Sequence, residues 1–447
     1  LHVLIPAAWA GQDLLLRLGS VDDEDRTFVN GQLVGATPDR RPGAPPLTGR
    51  SVQAMRRYVV PAALVRAGAE NVIAVRVLDG GGPGGIPGPN LSLLPPQALS
   101  TMPRHPQPDR PLAERFADPP ACARIIKIIH NWPDDPPAQD DLIETLLSQG
   151  FGGVVSNVSF TNYLSSEEEW TAFLRGIAQA KQAGMALWLY DERAYPSGPA
   201  GGITMEGKPV PQWRDRTALP PPPTLHPDWE ARGLFVADTE TGAGAVKLDL
   251  PPGRFVSAAA YPVREGQLDL AHAVDLGGSV AEGKLSWQAP AGDWHVLALT
   301  EGRLYEGTHA QMSLNEKIPY INLLMPEPTA RFLQVTHDQY AARLGQDLGQ
   351  TFISTFTDEP SLMSVFLRKM PYRPLPWSPN LPTEFAKRRG YELAPFLPAL
   401  VADCGSRGLK ARYDYWQTVG ELVSENFFGQ IQDWCHRHGV LSGGHLL

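Results

Sequence analysis

Through the first hundred residues apolar and polar positions alternate with a period of two. In Glu70-Asn-Val-Ile-Ala-Val-Arg-Val77, Ile73, Val75 and Val77 fall on one side, and Ala74 and Arg76 on the other. This is the pattern of a half-buried strand. Leu14 to Gly19 reads as another strand, and the run Val21 to Gly35 carries Asn30-Gly31 between short apolar segments. Both residues of that pair tolerate positive φ, so a type I′ hairpin is predicted there. Residues 1–98 are therefore read as β-structure. Residues 99–122, with prolines from Pro103 through Pro120 and little periodicity, read as a linker.

From residue 123 the period changes. Ile125 to Asn131 reads as a strand, and Asp140 is placed as the cap of a helix running to Gly150, with Leu142, Ile143, Leu146 and Leu147 on one face. Gly153 to Ser159 is a second strand. A helix carrying Trp170, Phe173, Leu174 and Ile177 follows, opened by the solvated acidic turn Glu167 to Glu169, and Ala186 to Glu192 is a third strand. Strands alternating with amphipathic helices imply a parallel sheet or barrel.

The alternation stops at Pro220-Pro-Pro-Pro223. Residues 220–310 hold three apolar runs, 246–250, 255–261 and 294–299, separated by Gly/Pro turns, and read as an inserted antiparallel β-domain. Barrel-like alternation returns over 311–447. It brings one helix from about Thr329 to Leu348, the strand Thr351 to Asp358, helices over about 382–402 and 411–438, and a fifth strand reaching His445. The predicted fold is multidomain: an N-terminal β-sandwich of jelly-roll type and a partial (β/α)8 barrel, of which 123–219 is the first part, interrupted by the insert. A complete barrel has eight strands. The chain is accordingly read as a piece of a longer enzyme, inactive by itself.

Composition narrows the function classes. A net charge of −9 over 447 residues argues against nucleic acid as the main partner, and the three cysteines are too scattered for a disulfide framework or a zinc set. No apolar run is long enough to span a bilayer. Gly80-Gly-Gly-Pro-Gly-Gly85 fits G-x-G-x-x-G but opens no helix, so it is a loop. Cys435-His-Arg-His438 closes a helix, where cations complement the carbonyl end.

The chemistry concentrates at two strand ends. Trp188-Leu-Tyr-Asp-Glu192 breaks into a Pro/Gly loop carrying Tyr195, and Thr351 to Asp358 ends on Asp358-Glu359-Pro360. Acids at the carboxyl ends of parallel strands stand where such barrels place catalytic groups. Strict alternation puts Phe352 and Phe356 against the helices and Glu359 on the inner side, as a candidate proton donor to a glycosidic oxygen. The alternative is a carboxylate that stabilises the next backbone turn; the coincidence of two acidic strand ends favours the catalytic reading. Only one of Asp191 and Glu192 is expected to reach the pocket, because neighbours on a strand face opposite ways. Trp188 and Tyr195 offer a platform for a sugar ring, and His130, Asn131, Asp358 and His445 offer hydrogen bonds to sugar hydroxyls.

The runs Trp188 to Gly202, Phe356 to Pro360 and Gly444-His-Leu446 resemble glycoside hydrolase family 106, typified by α-L-rhamnosidases, over about residues 123–202 and 320–447. The N-terminal pattern is similar to the galactose-binding-like jelly roll of family-2-type glycoside hydrolases. The first resemblance implies a (β/α)8 barrel, an inverting reaction between two glutamates with Glu359 as the general acid, and a calcium ion that assists sugar binding. The implied partner is a carbohydrate, and the alternative is a carbohydrate-binding protein with a degenerate barrel.

Overall fold

The computed structural model describes residues 1–19, 21, 23–38, 56–78, 86, 92–96, 110–193, 195–206, 229–304, 320–360, 362 and 372–445. The Gly80–Gly85 loop, the Pro220–Pro223 run and Leu446 lie outside them. The chain divides into two compact units, Leu1–Met102 and Pro103–Leu447.

The first unit is wholly antiparallel. Its strands are His2–Leu4 (β1), Leu14–Gly19 (β2), Glu24–Val29 (β3), Gln32–Thr37 (β4), Arg56–Val60 (β5), Glu70–Leu78 (β6) and Ser92–Leu94 (β7). They form a four-stranded sheet, β1-β6-β3-β4, and a three-stranded sheet, β5-β2-β7. Leu14, Leu16, Leu18 and Val60 from one sheet share a core with Val29 and Ile73 from the other. The predicted hairpin is present, with Asn30 at φ 49° and Gly31 at φ 83°. Asn30 also ties the turn to its neighbours, because its side-chain amide donates to Leu64 C=O at 2.7 Å and to Asn71 Oδ1 at 2.8 Å.

The second unit opens with a short helix, Leu112–Ala117 (α1), inside the predicted linker. Strands Ile126–Ile128 (β8), Gly153–Ser156 (β9) and Ala186–Tyr190 (β10) follow, with helices Pro136–Ser148 (α2) and Glu167–Gln182 (α3) between them. Asp135, not Asp140, caps α2 by accepting from Ala138 N–H at 3.0 Å; Asp140 sits inside the helix and pairs with Arg175 of α3. Pro136 at the first helical position explains the earlier start. Ser166 caps α3, and Glu169 reaches back to Asn162 N–H and Nδ2 at 3.2 and 3.0 Å. Glu169 is therefore a buried part of the cap, not a solvated residue.

The insert is built from Arg232–Thr241 (β11), Gly244–Asp249 (β12), Arg254–Arg264 (β13), Gln267–Leu268 (β14), Val274–Asp275 (β15), Val280–Ala281 (β16), Lys284–Ala289 (β17) and Trp294–Arg303 (β18). The antiparallel sheet β14-β13-β18-β11 is completed by Arg373–Trp377 (β20), which arrives from far outside the insert's own sequence. The expected single helix over 329–348 is two, Pro326–Val335 (α4) and His337–Leu344 (α5). Thr336 breaks it at φ −110°, ψ −79°, its hydroxyl donating to Phe332 C=O at 2.7 Å. Such back-bonding bends helices.

Phe352–Asp358 (β19), helices Leu381–Arg389 (α6), Gly405–Val423 (α7) and Gln430–Arg437 (α8), and Leu441–His445 (β21) complete the unit. The five strands β21-β19-β10-β9-β8 form one parallel sheet, curled as half a barrel, in unbroken sequence order. One face packs Val154, Leu187, Leu189 and Phe352 against Trp170, Phe173 and Tyr340 of the helices. Each such side chain contributes about 1.5–3 kcal/mol on full burial. The other face carries Val155, Tyr190 and Phe356, with Ile126, Ile128 and Trp188 partly buried around them. No described helix is long and apolar enough to cross a membrane.

Candidate active site

Parallel order brings the carboxyl ends of β10, β19 and β21 to one edge of the sheet. Which residues face inward there depends on an irregularity. Leu187 pairs with Phe352, but Trp188 pairs with Ser354, so Ile353 is an extra residue in β19. A single insertion reverses the side-chain parity beyond it. Phe352 faces the helices as expected, whereas Phe356 and Asp358 face inward and Thr355 meets Cys435 of α8. The inward placement of Glu359 by strict alternation is corrected: the inward acid of the strand is Asp358.

Asp358 is 4% exposed and both its oxygens are engaged. Tyr190 Oη donates to Oδ2 at 2.8 Å, and His445 Nδ1 lies 3.0 Å from Oδ1. Burial, followed by the charge of Asp358, holds the Tyr190 phenol well above its usual range, so it stays a donor. Glu359 lies just past the strand, half-buried at φ 47°, its N–H donating to His445 C=O at 3.1 Å. Carboxylate oxygens of Asp358 and Glu359 and a ring nitrogen of His445 all lie within 4.8 Å of one another. His445 is about half exposed at 54% and meets Phe356 edge-on at 4.8 Å. His130 is exposed and meets Tyr190 edge-on at 5.1 Å, which puts it on the same face. Trp188 is half-buried on that face, 6.5 Å from Phe356.

The tip of β10 is a different environment. Asp191 and Glu192 are both fully buried. Asp191 Oδ1 accepts from Ser197 Oγ and Oδ2 from Thr357 Oγ1, each at 2.6 Å. Glu192 accepts four backbone N–H bonds: Arg193 at 2.8 Å and Gly201 at 2.7 Å on Oε1, Gly198 at 3.0 Å and Ala200 at 2.7 Å on Oε2. The oxygens expected to bind sugar hydroxyls are thus already engaged by the protein, Glu192 by the adjoining loop and Asp191 by Ser197 of that loop and by Thr357 on the helix-facing side. Burial pushes Asp191 up to about 7 and Glu192 up to about 8, against hydrogen bonds that lower each. Four N–H donors leave Glu192 no acceptor for an O–H, so the loop is built around the carboxylate form. Gly198 is required where it stands: at φ 137°, a Cβ there would lie 2.7 Å from Ile321.

Asn131 is likewise structural, at φ 63° with Oδ1 accepting from Phe160 N–H at 2.8 Å. Tyr195 is half-buried in the loop. Sequence reasoning missed Tyr190, Thr357, Ser197 and His337. His337 is fully buried on α5, 3.7 Å from Asp191 Oδ2, and burial lowers it to about 3. Tyr190 was within reach, since an aromatic hydroxyl one residue before a strand-end acid is a ready donor; the others depend on the bulge and on the break at Thr336.

Asp358, Glu359 and His445 are the described residues grouped closely enough to hold a metal ion. Two carboxylates and an imidazole suit a transition metal better than calcium, which takes six to eight oxygen ligands. The His445 ring nitrogen is turned to Asp358 itself. This trio does not fit the calcium implied by resemblance.

Over 161 residues, 35% of its length, the chain is 21% identical to a protein described as a putative beta-glucuronidase from Formosa agariphila, of which the alignment spans 13%. It is also similar to the rhamnosidase structure from Novosphingobium sp. PP1Y, with 16% identity and a TM-score of 0.42, over 76% of this chain and 47% of that one. The chain thus spans well under two thirds of either relative. Residues 256–443 match the family model described as alpha-L-rhamnosidase, a span that takes in β19 and most of β21 but not the Trp188–Gly202 run. Over that span the chain is similar to glycoside hydrolase family 106.

Proposed function

We propose that the chain belongs to a glycoside hydrolase that removes a terminal sugar, α-L-rhamnose or a close relative, from an oligosaccharide, polysaccharide or glycoconjugate. In this reading the five parallel strands are those of a (β/α)8 barrel, and the N-terminal unit is a galactose-binding-like jelly roll. The supporting observation is the grouping of Asp358, Glu359 and His445 within 4.8 Å at the carboxyl edge of β19 and β21. Glu359 donates its proton to the glycosidic oxygen as the bond to the anomeric carbon breaks. Asp358, held by Tyr190 and His445, steadies positive charge on the ring carbon. Water completes the reaction by adding to that carbon, its proton passing to a second carboxylate.

That second carboxylate is not Asp358. An inverting pair stands roughly 6.5–9.5 Å apart and a retaining pair about 5–5.5 Å. One oxygen of Asp358 lies within 4.8 Å of one of Glu359, well inside the spacing of an inverting pair.

The test is turnover by the full-length gene product of a panel of aryl glycosides that includes an aryl α-L-rhamnoside. Glu359→Gln is expected to lower kcat by about 10²–10⁴-fold with KM little changed. Sugar binding without turnover on any substrate supports the carbohydrate-binding alternative instead.

A further inference from the structure

Ser197 has no role in the chemistry above, yet every polar group it owns is engaged. Its N–H donates to Asp358 C=O at 2.7 Å, and its Oγ accepts the Asp358 N–H at 2.8 Å. An N–H only donates, so the Ser197 hydroxyl proton must point elsewhere, and it points to Asp191 Oδ1 at 2.6 Å. Its C=O accepts from Tyr320 Oη at 2.9 Å. Ser197 is fully buried, and a Cβ added at Gly198 beside it would lie 2.7 Å from Ile321 and 3.8 Å from Phe427. The loop therefore has little room to move.

We propose that Ser197 is a positioning residue, which clamps both backbone groups of Asp358 and so sets where Asp358 and Glu359 present their carboxyls, with Asp191 fixing the direction of its hydroxyl. The rate part of this proposal rests on the glycosidase reading; the clamp does not. β19 is gripped from two sides at its end, by Ser197 at Asp358 and by His445 C=O at the Glu359 N–H. Removing the hydroxyl leaves the Asp358 N–H buried without an acceptor and Asp191 Oδ1 without its donor. The strand end then relaxes by some fraction of an ångström. Misplacement of about 1 Å costs on the order of 10²-fold in rate.

Asp191 is needed as an acceptor rather than as a charge. Thr336 Oγ1 donates to Phe332 C=O, so it accepts from His337 Nδ1–H at 2.8 Å, which leaves His337 Nε2 as a bare acceptor facing Asp191 Oδ2. The amide of Asp191→Asn offers Ser197 the same oxygen and turns an N–H toward that nitrogen, while the Thr357 hydroxyl, which donates to Oδ2 at 2.6 Å, must rotate and accept from the amide instead.

The experiment pairs amide hydrogen exchange with kinetics on the full-length gene product. Ser197→Ala is expected to speed exchange at the Asp358 amide by about tenfold or more, and to lower kcat on an aryl α-L-rhamnoside by about 10–100-fold with KM within threefold. Ser197→Cys keeps the size and a weak acceptor, and falls between; it serves if the alanine variant does not fold. Asp191→Asn stays close to wild type in both readouts, whereas Asp191→Ala behaves like Ser197→Ala. Unchanged Asp358 exchange in folded Ser197→Ala or Ser197→Cys overturns the clamp. Faster exchange with unchanged kcat overturns the positioning role, as does a loss of activity that only tracks the folded fraction. If wild type hydrolyses none of the panel, the glycosidase reading fails, and exchange still decides the clamp.

Discussion

Two segments of this chain read almost alike, Trp188-Leu-Tyr-Asp-Glu192 and Phe356-Thr-Asp-Glu359, each a strand running into Asp-Glu and a nearby proline. In the fold they are opposites. The first pair is fully buried and its oxygens are occupied by loop donors. The second lies at the edge, grouped with a half-exposed histidine. The difference originates in the backbone just beyond each pair. Glu192 is succeeded by a glycine-rich loop that curls back and offers four N–H groups. The Glu359 N–H, by contrast, is taken by the neighbouring strand. A strand-end carboxylate can thus be taken up wholly by the loop that follows it, as Glu192 is.

Three tests press on this contrast. The largest stability effect is expected from Glu192→Gln. The amide keeps one acceptor oxygen but sets an NH2 against backbone donors on the other side, and a buried group left unsatisfied costs about 1–3 kcal/mol, more where a charge was involved. Denaturant unfolding should show a loss of about 3 kcal/mol. A small change would mean that the loop does not depend on this carboxylate.

The second test uses pH. Burial pushes Asp191 up to about 7 in the folded protein from its ordinary 3.8, whereas the four N–H donors on Glu192 keep that group a carboxylate. The folded state therefore binds more protons at Asp191 than the unfolded state between those limits. Its contribution is most favourable below about pH 4 and declines as pH rises to about 7, by on the order of 1 kcal/mol per pH unit. Unfolding midpoints across that window should show the decline, with a shallower slope in Asp191→Asn, which has no titrating carboxyl there.

The smallest effect is expected from Tyr190→Phe. It removes one donor from Asp358 but keeps the ring against Phe356, 6.1 Å away, and should destabilise by about 1 kcal/mol. Because Asp358 is proposed to act as an anion, the rate should fall further than the stability loss explains. Equal proportional losses would move Tyr190 to a purely structural role.

Much of the architecture was legible because it is written in periods. The Asn30-Gly31 hairpin, β6, the strand–helix alternation from residue 126 and three of the insert's strands, β12, β13 and β18, arise from local spacing and turn chemistry. What was not legible depends on single residues or distant partners. The extra Ile353 reverses a strand's facing without changing its composition, and Thr336 breaks an otherwise continuous helical pattern. β20 is a strand because β11 accepts it across more than a hundred residues. Nothing local marked Ser197 as the residue that joins the two acidic tips, though it stands in the loop the sequence singled out.

In the proposed function one tip does chemistry and the other holds structure, and a paired measurement of kcat and Tm on Glu359→Gln and Glu192→Gln tests that division most directly. The prediction is that Glu359→Gln loses turnover by about 10²-fold or more with Tm within a few degrees of wild type, while Glu192→Gln loses several degrees of Tm and keeps most of its turnover when folded. The reverse assignment, with Glu359→Gln unfolding and Glu192→Gln folded but inert, would contradict it.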